Sequence, residues 1–171
     1  MKPKLLLGLA LVLSGGFNGC TTVQPSAAQV LYHNAKYDFT FSLPGSWRGY
    51  SVLTERWDGE YYSPALDKTV VAGHGQEIVL RHPQWTASAP CQDIPILIFT
   101  RAQWDALKQG KLWPSHYAGG VMDEMWHNRK YVFAVSSRYN ADDSVRGWKE
   151  ADDIVNRNLA AHPEPTLYPN P

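Results

Sequence analysis

The side chains able to do chemistry are few and dispersed. Histidines stand at positions 33, 74, 82, 116, 127 and 162. No two have the i, i+4 spacing that sets a pair of imidazoles on one helix face for zinc. His74, Glu77 and His82 come nearest to a ligand set, since neutral imidazole and carboxylate both bind zinc. Along a strand from Gln76, however, alternation groups Glu77, Val79 and Arg81 on one face and Ile78, Leu80 and His82 on the other. Glu77 and His82 therefore diverge, and neither a metal site nor a cofactor is expected. Cys91 is the other chemically distinctive group. With a histidine beside it to take its proton, it would be the nucleophile of a thiol-dependent hydrolase. No nucleophile signature surrounds it, and the ordinary reading is a small, partly buried residue. The chain has no Gly-x-Ser-x-Gly elbow and no phosphate-binding glycine loop. The residue types favour a protein that binds over one that catalyses.

Aromatic residues are the compositional oddity, with 7 tryptophans and 9 tyrosines. Their faces stack on sugar rings and anchor protein partners. Trp57, Tyr61, Tyr62, Trp85, Trp113 and Tyr117 all fall in segments that read as loops, where exposed aromatics serve binding. These six are the candidate binding residues, for an envelope glycan or a protein partner. Trp104 and Trp148 fit helix stripes and Trp47 a strand corner, so those three are assigned to the core. Arg81, Arg101, Arg129 and Arg138 are able to clamp carboxylate or phosphate, and surface ion pairing is the simpler role for each.

The elements that position these residues follow from the rest of the chain. Its 171 residues carry 16 Lys+Arg and 16 Asp+Glu, with 44% hydrophobic and 19% charged residues. That is one ordinary globular domain. Zero net charge excludes a typical nucleic-acid binder, which needs a basic surface to displace counterions. Two cysteines exclude a disulfide-rich scaffold and a four-cysteine zinc site.

The sole long apolar run lies at the N-terminus. Lys2 and Lys4 precede Leu5 to Leu13, a stretch too short to span a bilayer and fitted to a signal peptide. Gly19-Cys20 then resembles the lipobox of bacterial lipoproteins, although Phe17 and Asn18 depart from its usual Leu and Ala/Ser. The resemblance implies that residues 1–19 are removed and that Cys20 is acylated, anchoring the chain to a membrane. Thr21 follows, where an aspartate would mark inner-membrane retention. The expected place is the periplasmic side of the outer membrane, if the cell is Gram-negative. Residues 20–29 are small and polar and read as a flexible tether. Residues 30–162 form the domain, and 163–171 a proline-rich tail unable to enter a sheet centre.

Within the domain, Tyr37 to Leu43 alternates as a half-buried strand. Pro44-Gly45 turns, and Trp47 to Leu53 is expected to return beside it. Trp57 to Gly75, with Gly59, Pro64, Gly73 and Gly75, reads as a long loop. Gln76 to His82 is a strand. Ile94 to Phe99 is continuously apolar, as in a central strand covered on both faces, with Pro95 at its start. Thr100-Arg-Ala-Gln103 fits a capping box for a helix ending at Gly110. Val121 to Trp126 and Lys130 to Ser136 form a hairpin about His127-Asn128-Arg129. A last helix, capped by Asp142, Asp143 or Ser144, runs to Leu159 with Trp148, Ala151 and Val155 on one stripe. No internal repeat is expected. The class is α+β, a single domain with an antiparallel sheet flanked by helices.

Segments 32–50, 81–85, 92–104 and 128–140 together resemble an uncharacterised family of bacterial secreted proteins and lipoproteins. That resemblance covers nearly all of the mature chain; it implies secretion and a compact domain, and no activity. Residues 113–126 depart most from its pattern. More distantly, Leu43-Pro44 with Trp47, and the closing strand–helix pair, look like the Mog1/PsbP-like fold, an antiparallel sheet flanked by helices.

Overall fold

The computed structural model describes residues 29–117, 121–139, 142–158 and 167–170. Cys20, the leader, most of the tether and Leu159 lie outside the described residues. The chain is an α+β domain made mostly of strands, in two antiparallel sheets.

The smaller sheet has the order β1-β2-β9, with β1 at Val30–Asn34, β2 at Phe39–Leu43 and β9 at Leu167–Tyr168. β2 is a strand where the alternation predicts one, but it is buried on both faces, Thr40 and Ser42 included, and not half-buried as expected. Its partner is not the segment after Pro44-Gly45. Val30–Asn34 pairs with it instead, and the chain reverses through residues 35–38, where Asp38 takes a positive φ of 57°. Residues 45–47 form a single 3-10 turn that buries Trp47. The next strand, β3 (Ser51–Ser63), begins only at Ser51 and joins the other sheet. At the C-terminus, β9 pairs along the edge of β2. Asn170 ties it down, its Nδ2 donating to Asn34 O at 3.2 Å and its Oδ1 accepting from Thr40 Oγ1 at 2.8 Å.

The larger sheet joins β3 to β4 (Lys68–Arg81), β5 (Ile94–Thr100), β6 (Trp113–Pro114), β7 (Met122–His127) and β8 (Tyr131–Ser136), in the order β6-β3-β4-β5-β8-β7. Its long members are β3 and β4, which pair from Ser51↔Arg81 to Ser63↔Lys68. This corrects the expected loop over 57–75: the segment is a hairpin arm. The glycines that suggested a loop are room for side chains. Gly75 lies directly opposite Trp57, and a Cβ there would fall inside the indole. A Cβ on Gly59 would strike Leu112. A register shift between Gly59 and Glu60 bends the arm, as bulges do, and two-residue β6 (Trp113–Pro114) pairs with β3 there.

The continuous apolar run is β5 (Ile94–Thr100), held between β4 and β8 (Tyr131–Ser136). Thr100 caps α1 (Arg101–Lys108) through the expected capping box with Gln103, and Gly110 follows at φ 67°. β7 (Met122–His127) pairs with β8 as expected. At their turn, Asn128 does not take a positive φ. Its Oδ1 accepts from Lys130 N at 2.9 Å and Tyr131 N at 2.8 Å, so the side chain closes the turn. The final helix, α2 (Trp148–Asn158), starts later than expected. Asp142 instead caps a preceding turn, accepting from Ser144 N at 3.0 Å, and Gly147 breaks the chain at φ 78° before the helix.

The six-stranded sheet is buried on both faces around β5. Ile94, Ile96 and Ile98 pack with Phe39, Phe41, Leu43 and Trp47, and with Ala151, Ile154 and Val155 of α2. Leu97 and Phe99 point the other way, onto Trp57, Trp104, Leu112 and Val132. This two-sided burial is why β5 carries no polar alternation.

Candidate functional site

The six aromatics singled out as binding residues do not share a surface. Trp57 is fully buried, its ring 4.6 Å from that of Phe99. That corrects its assignment, for the same reason as the arm: two glycines clear a slot for the indole. Tyr61 and Tyr62 are neighbours on β3 and face opposite ways; Tyr62 is 50% exposed and its hydroxyl donates to Asp67. Trp113 is half-buried, opposite Glu60. Trp85 is half-buried beneath the Arg81 guanidinium, 4.0 Å from the ring centroid, and Arg81 also donates to Asp93 at 2.9 Å. Thr69, the partner of Tyr62, and Arg81 lie at opposite ends of β4, separated by roughly 40 Å of strand. Trp85 and Tyr62 therefore cannot grip one small ligand.

Tyr117 has a different task. Its hydroxyl donates to Glu77 Oε1 at 2.5 Å, beneath the sheet face that carries Trp57. Burial pushes the Glu77 carboxyl above its usual range, against the lowering effect of the Tyr117 bond; Glu55 raises it and His116 lowers it further. Burial, and then the bond to Glu77, also drive the Tyr117 hydroxyl well above its ordinary value. The pair stays protonated on the phenol and holds residues 113–117 against the sheet. His82 lies elsewhere, its ring 5.0 Å from Trp47 and its Nδ1 accepting from Gln84 N at 3.1 Å. Burial depresses its basicity, with Glu150 acting in the opposite sense.

Cys91 is 5% exposed. The hydrogen bond to its sulfur comes from Arg146 Nε at 3.1 Å, not from a histidine. The same guanidinium donates to Ala89 O at 3.0 Å and to Gln84 O at 2.5 Å, and Gln92 N donates to Arg146 O at 2.8 Å. Arg146 is thus a clip joining the 82–92 loop to the segment before α2. Among the described residues, no group of three or more His, Cys, Asp or Glu side chains is placed to hold a metal ion.

Among the described residues, a concave site lies where two hairpin turns meet. One is the β1–β2 turn, with Ala35, Lys36, Tyr37 and Asp38; the other is the β7–β8 turn, with Asn128, Arg129, Lys130 and Tyr131. Between them is a cavity of about 330 Å³, within the range of small-molecule sites. A second cavity of about 190 Å³ shares Lys36, Tyr37 and Tyr131 and continues to His74, Gln76, Thr100 and Gln103. Lys36, Arg129 and Lys130 are exposed cations at the first cavity, with Asp38 as the single acid there. Lys36 Nζ rests 4.9 Å from the Tyr37 ring centroid.

The two turns are copies of one sequence. Residues 32–39 read YHNAKYDF and residues 126–133 read WHNRKYVF, five positions being identical. This corrects the expectation of no internal repeat. Corresponding positions do corresponding work. Asn34 Oδ1 accepts from Tyr37 N at 3.1 Å, and Asn128 Oδ1 from Tyr131 N at 2.8 Å. Tyr32 packs on Phe39 at 5.7 Å, and Trp126 on Phe133 at 5.6 Å. The copies then meet position for position: the Tyr37 and Tyr131 rings are 5.1 Å apart and edge-on, and those of Phe39 and Phe133 are 4.6 Å apart. Asn128 Nδ2 donates across the junction to Tyr37 O at 2.9 Å. The histidines diverge, His33 pairing with Thr40 at 2.8 Å and His127 with Glu124 at 2.5 Å. The sequence signal was the Asn-x-Lys-Tyr pattern common to both turns, too short to stand out until the fold brings its copies together.

The chain matches no family model, no curated protein and no solved structure.

Proposed function

We propose that this protein is an exported, lipid-anchored binding module of the bacterial cell envelope, and that it binds its ligand in the cleft between the paired turns. The observation that carries the binding role is the cleft itself: one turn sequence used twice to set cations around a tyrosine-lined hollow. The anchor rests on Gly19-Cys20 and its lipobox resemblance. Attachment is assigned to acyl chains on Cys20. In this reading the sheet is flanked by α1 and α2 in the manner of the Mog1/PsbP-like fold, as in the secreted bacterial family that the sequence resembles. The domain faces the periplasm from the outer membrane in a Gram-negative cell. Cys91, held by Arg146, closes a loop and has no catalytic part.

Two measurements test the reading. A palmitate analogue should label the wild-type chain and not Cys20→Ala; equal labelling would remove the anchor. The full chain in neutral detergent should cosediment with isolated cell-wall sacculi, and Lys36→Ala/Lys130→Ala should stay in the supernatant. Absence of sedimentation, or sedimentation indifferent to the lysines, would contradict a binding role for the cleft.

A further inference from the structure

We infer that the cleft takes an acidic saccharide, its anionic group held by Lys36, Arg129 and Lys130 and its sugar rings extending over Tyr131 into the second cavity. The inference rests on the binding-module reading and names the ligand class for that site.

Three features select this class. The charge is lopsided: three cations and one carboxylate border the first cavity, and the cations come from two separate turns, so they converge on one hollow without a matching acid for each. Lysine serves as a point charge for an anion and arginine as a planar fork for carboxylate or phosphate. The volume is too great for a bare anion: about 330 Å³ in the first cavity and about 190 Å³ in the second. The two share Lys36, Tyr37 and Tyr131, which makes them successive subsites of an elongated ligand.

The walls then change character along that length. At the charged end the lining is cationic. At the junction stands the partly exposed ring of Tyr131, fixed edge-on to Tyr37. Such a ring presents an apolar face and a polar tip, suited to the C–H face and the hydroxyls of a pyranose. Beyond it the lining includes Thr100, Gln76, Gln103 and His74, with the Thr100 hydroxyl already donating to Gln103 Oε1 at 3.0 Å and the Gln76 amide to Glu55 O. Hydroxyl, amide and imidazole are hydrogen-bonding side chains, as neutral sugar hydroxyls require. Part of this wall is already organised: Gln103 Nε2 donates to His74 O at 2.8 Å, and its Oε1 accepts from Thr100 N at 2.8 Å. A uronic acid and a sugar phosphate share this chemistry.

The test uses the full chain in neutral detergent and isothermal titration calorimetry with four probes: a glucuronate-containing disaccharide, glucose 6-phosphate, maltose and inorganic phosphate. At least one acidic saccharide should bind about tenfold more tightly than maltose and than inorganic phosphate. Which one binds better tells a carboxylate source from a phosphate source. Lys36→Ala/Lys130→Ala should weaken that binding about tenfold. The inference is overturned if maltose binds as tightly as the acidic saccharides, if inorganic phosphate alone accounts for the affinity, or if the lysine variant binds the acidic saccharides unchanged. It is overturned as well if no probe binds. Lysine-dependent cosedimentation with sacculi would in that case still support the binding module, with a different ligand.

Discussion

Two regions of this protein are rich in aromatic side chains, and they use them in opposite ways. The β3–β4 arm carries Trp57, Tyr61 and Tyr62; the paired turns carry Tyr37 and Tyr131. In the arm, the largest ring faces glycine. Gly75 is opposite Trp57 and Gly59 beside it, so the indole fills the space that side chains would have taken and becomes core. At the turns, each tyrosine is preceded by a lysine; Tyr37 is buried at the edge of the core, and Tyr131 opens β8 half-exposed. The rings pack on each other, and their cationic neighbours border an open hollow. Whether an aromatic residue fills the core or borders a hollow depends on what stands across from it. That is a property of strand pairing and not of the residue type.

The comparison is broken most severely at Trp57. Trp57→Ala should destabilise the domain by about 3–5 kcal/mol, measured as a lower urea midpoint. Trp57→Phe should cost much less, because the Nε1 of Trp57 is buried without a hydrogen-bond partner and its loss removes a burden. Neither change should affect ligand affinity once the variants are folded. An exposed binding tryptophan would behave the other way round.

At the turns, the two asparagines separate closure from junction. Asn128→Ala removes two turn bonds and the bond to Tyr37 O. It should cost about 1–2 kcal/mol and weaken cleft binding by loosening the Tyr37–Tyr131 contact. Asn34→Ala removes no bond across the junction, so its effect on binding should be the smaller. Equal effects of the two variants would deny the asymmetry read from Asn128.

Glu77 gives the arm a pH dependence. Burial raises its pKa in the fold above the ordinary 4.5. The folded chain therefore holds that proton more tightly than the unfolded chain. Its contribution to stability is full below pH 4.5 and is lost as pH rises through the raised value. Glu77→Gln keeps an acceptor for Tyr117 and removes the charge. Its melting temperature should lose less than the wild type's between pH 4.5 and neutrality; a parallel decline would show that Glu77 is not the titrating group. The smallest effect belongs to Tyr62. At 50% exposure, Tyr62→Ala should change stability by no more than about 0.5 kcal/mol and leave cleft binding intact.

Much of the fold was legible because local rules were obeyed. The alternation of Phe39 to Leu43, the unbroken run of Ile94 to Phe99 and the Thr100–Gln103 capping box each dictate one conformation. The arm was misread because glycine and tyrosine together look like a loop until their register is known, and register is a non-local quantity. β1 was missed because its half-buried pattern makes sense only beside β2. The site was illegible for a related reason. Lys36 and Lys130 are 94 residues apart, and nothing within either turn reveals that its twin lies against it. The charge of each turn reads as solvation; only their meeting makes it a cleft.

The account is tested most directly by amide chemical-shift mapping of the full chain titrated with the glucuronate-containing disaccharide. Shifts concentrated at residues 35–38, 74–76, 98–103 and 128–131, and abolished by Lys36→Ala/Lys130→Ala, are predicted. Shifts centred instead on residues 61–71 and 113–117 would place binding on the hairpin arm and contradict the assignment to the turns.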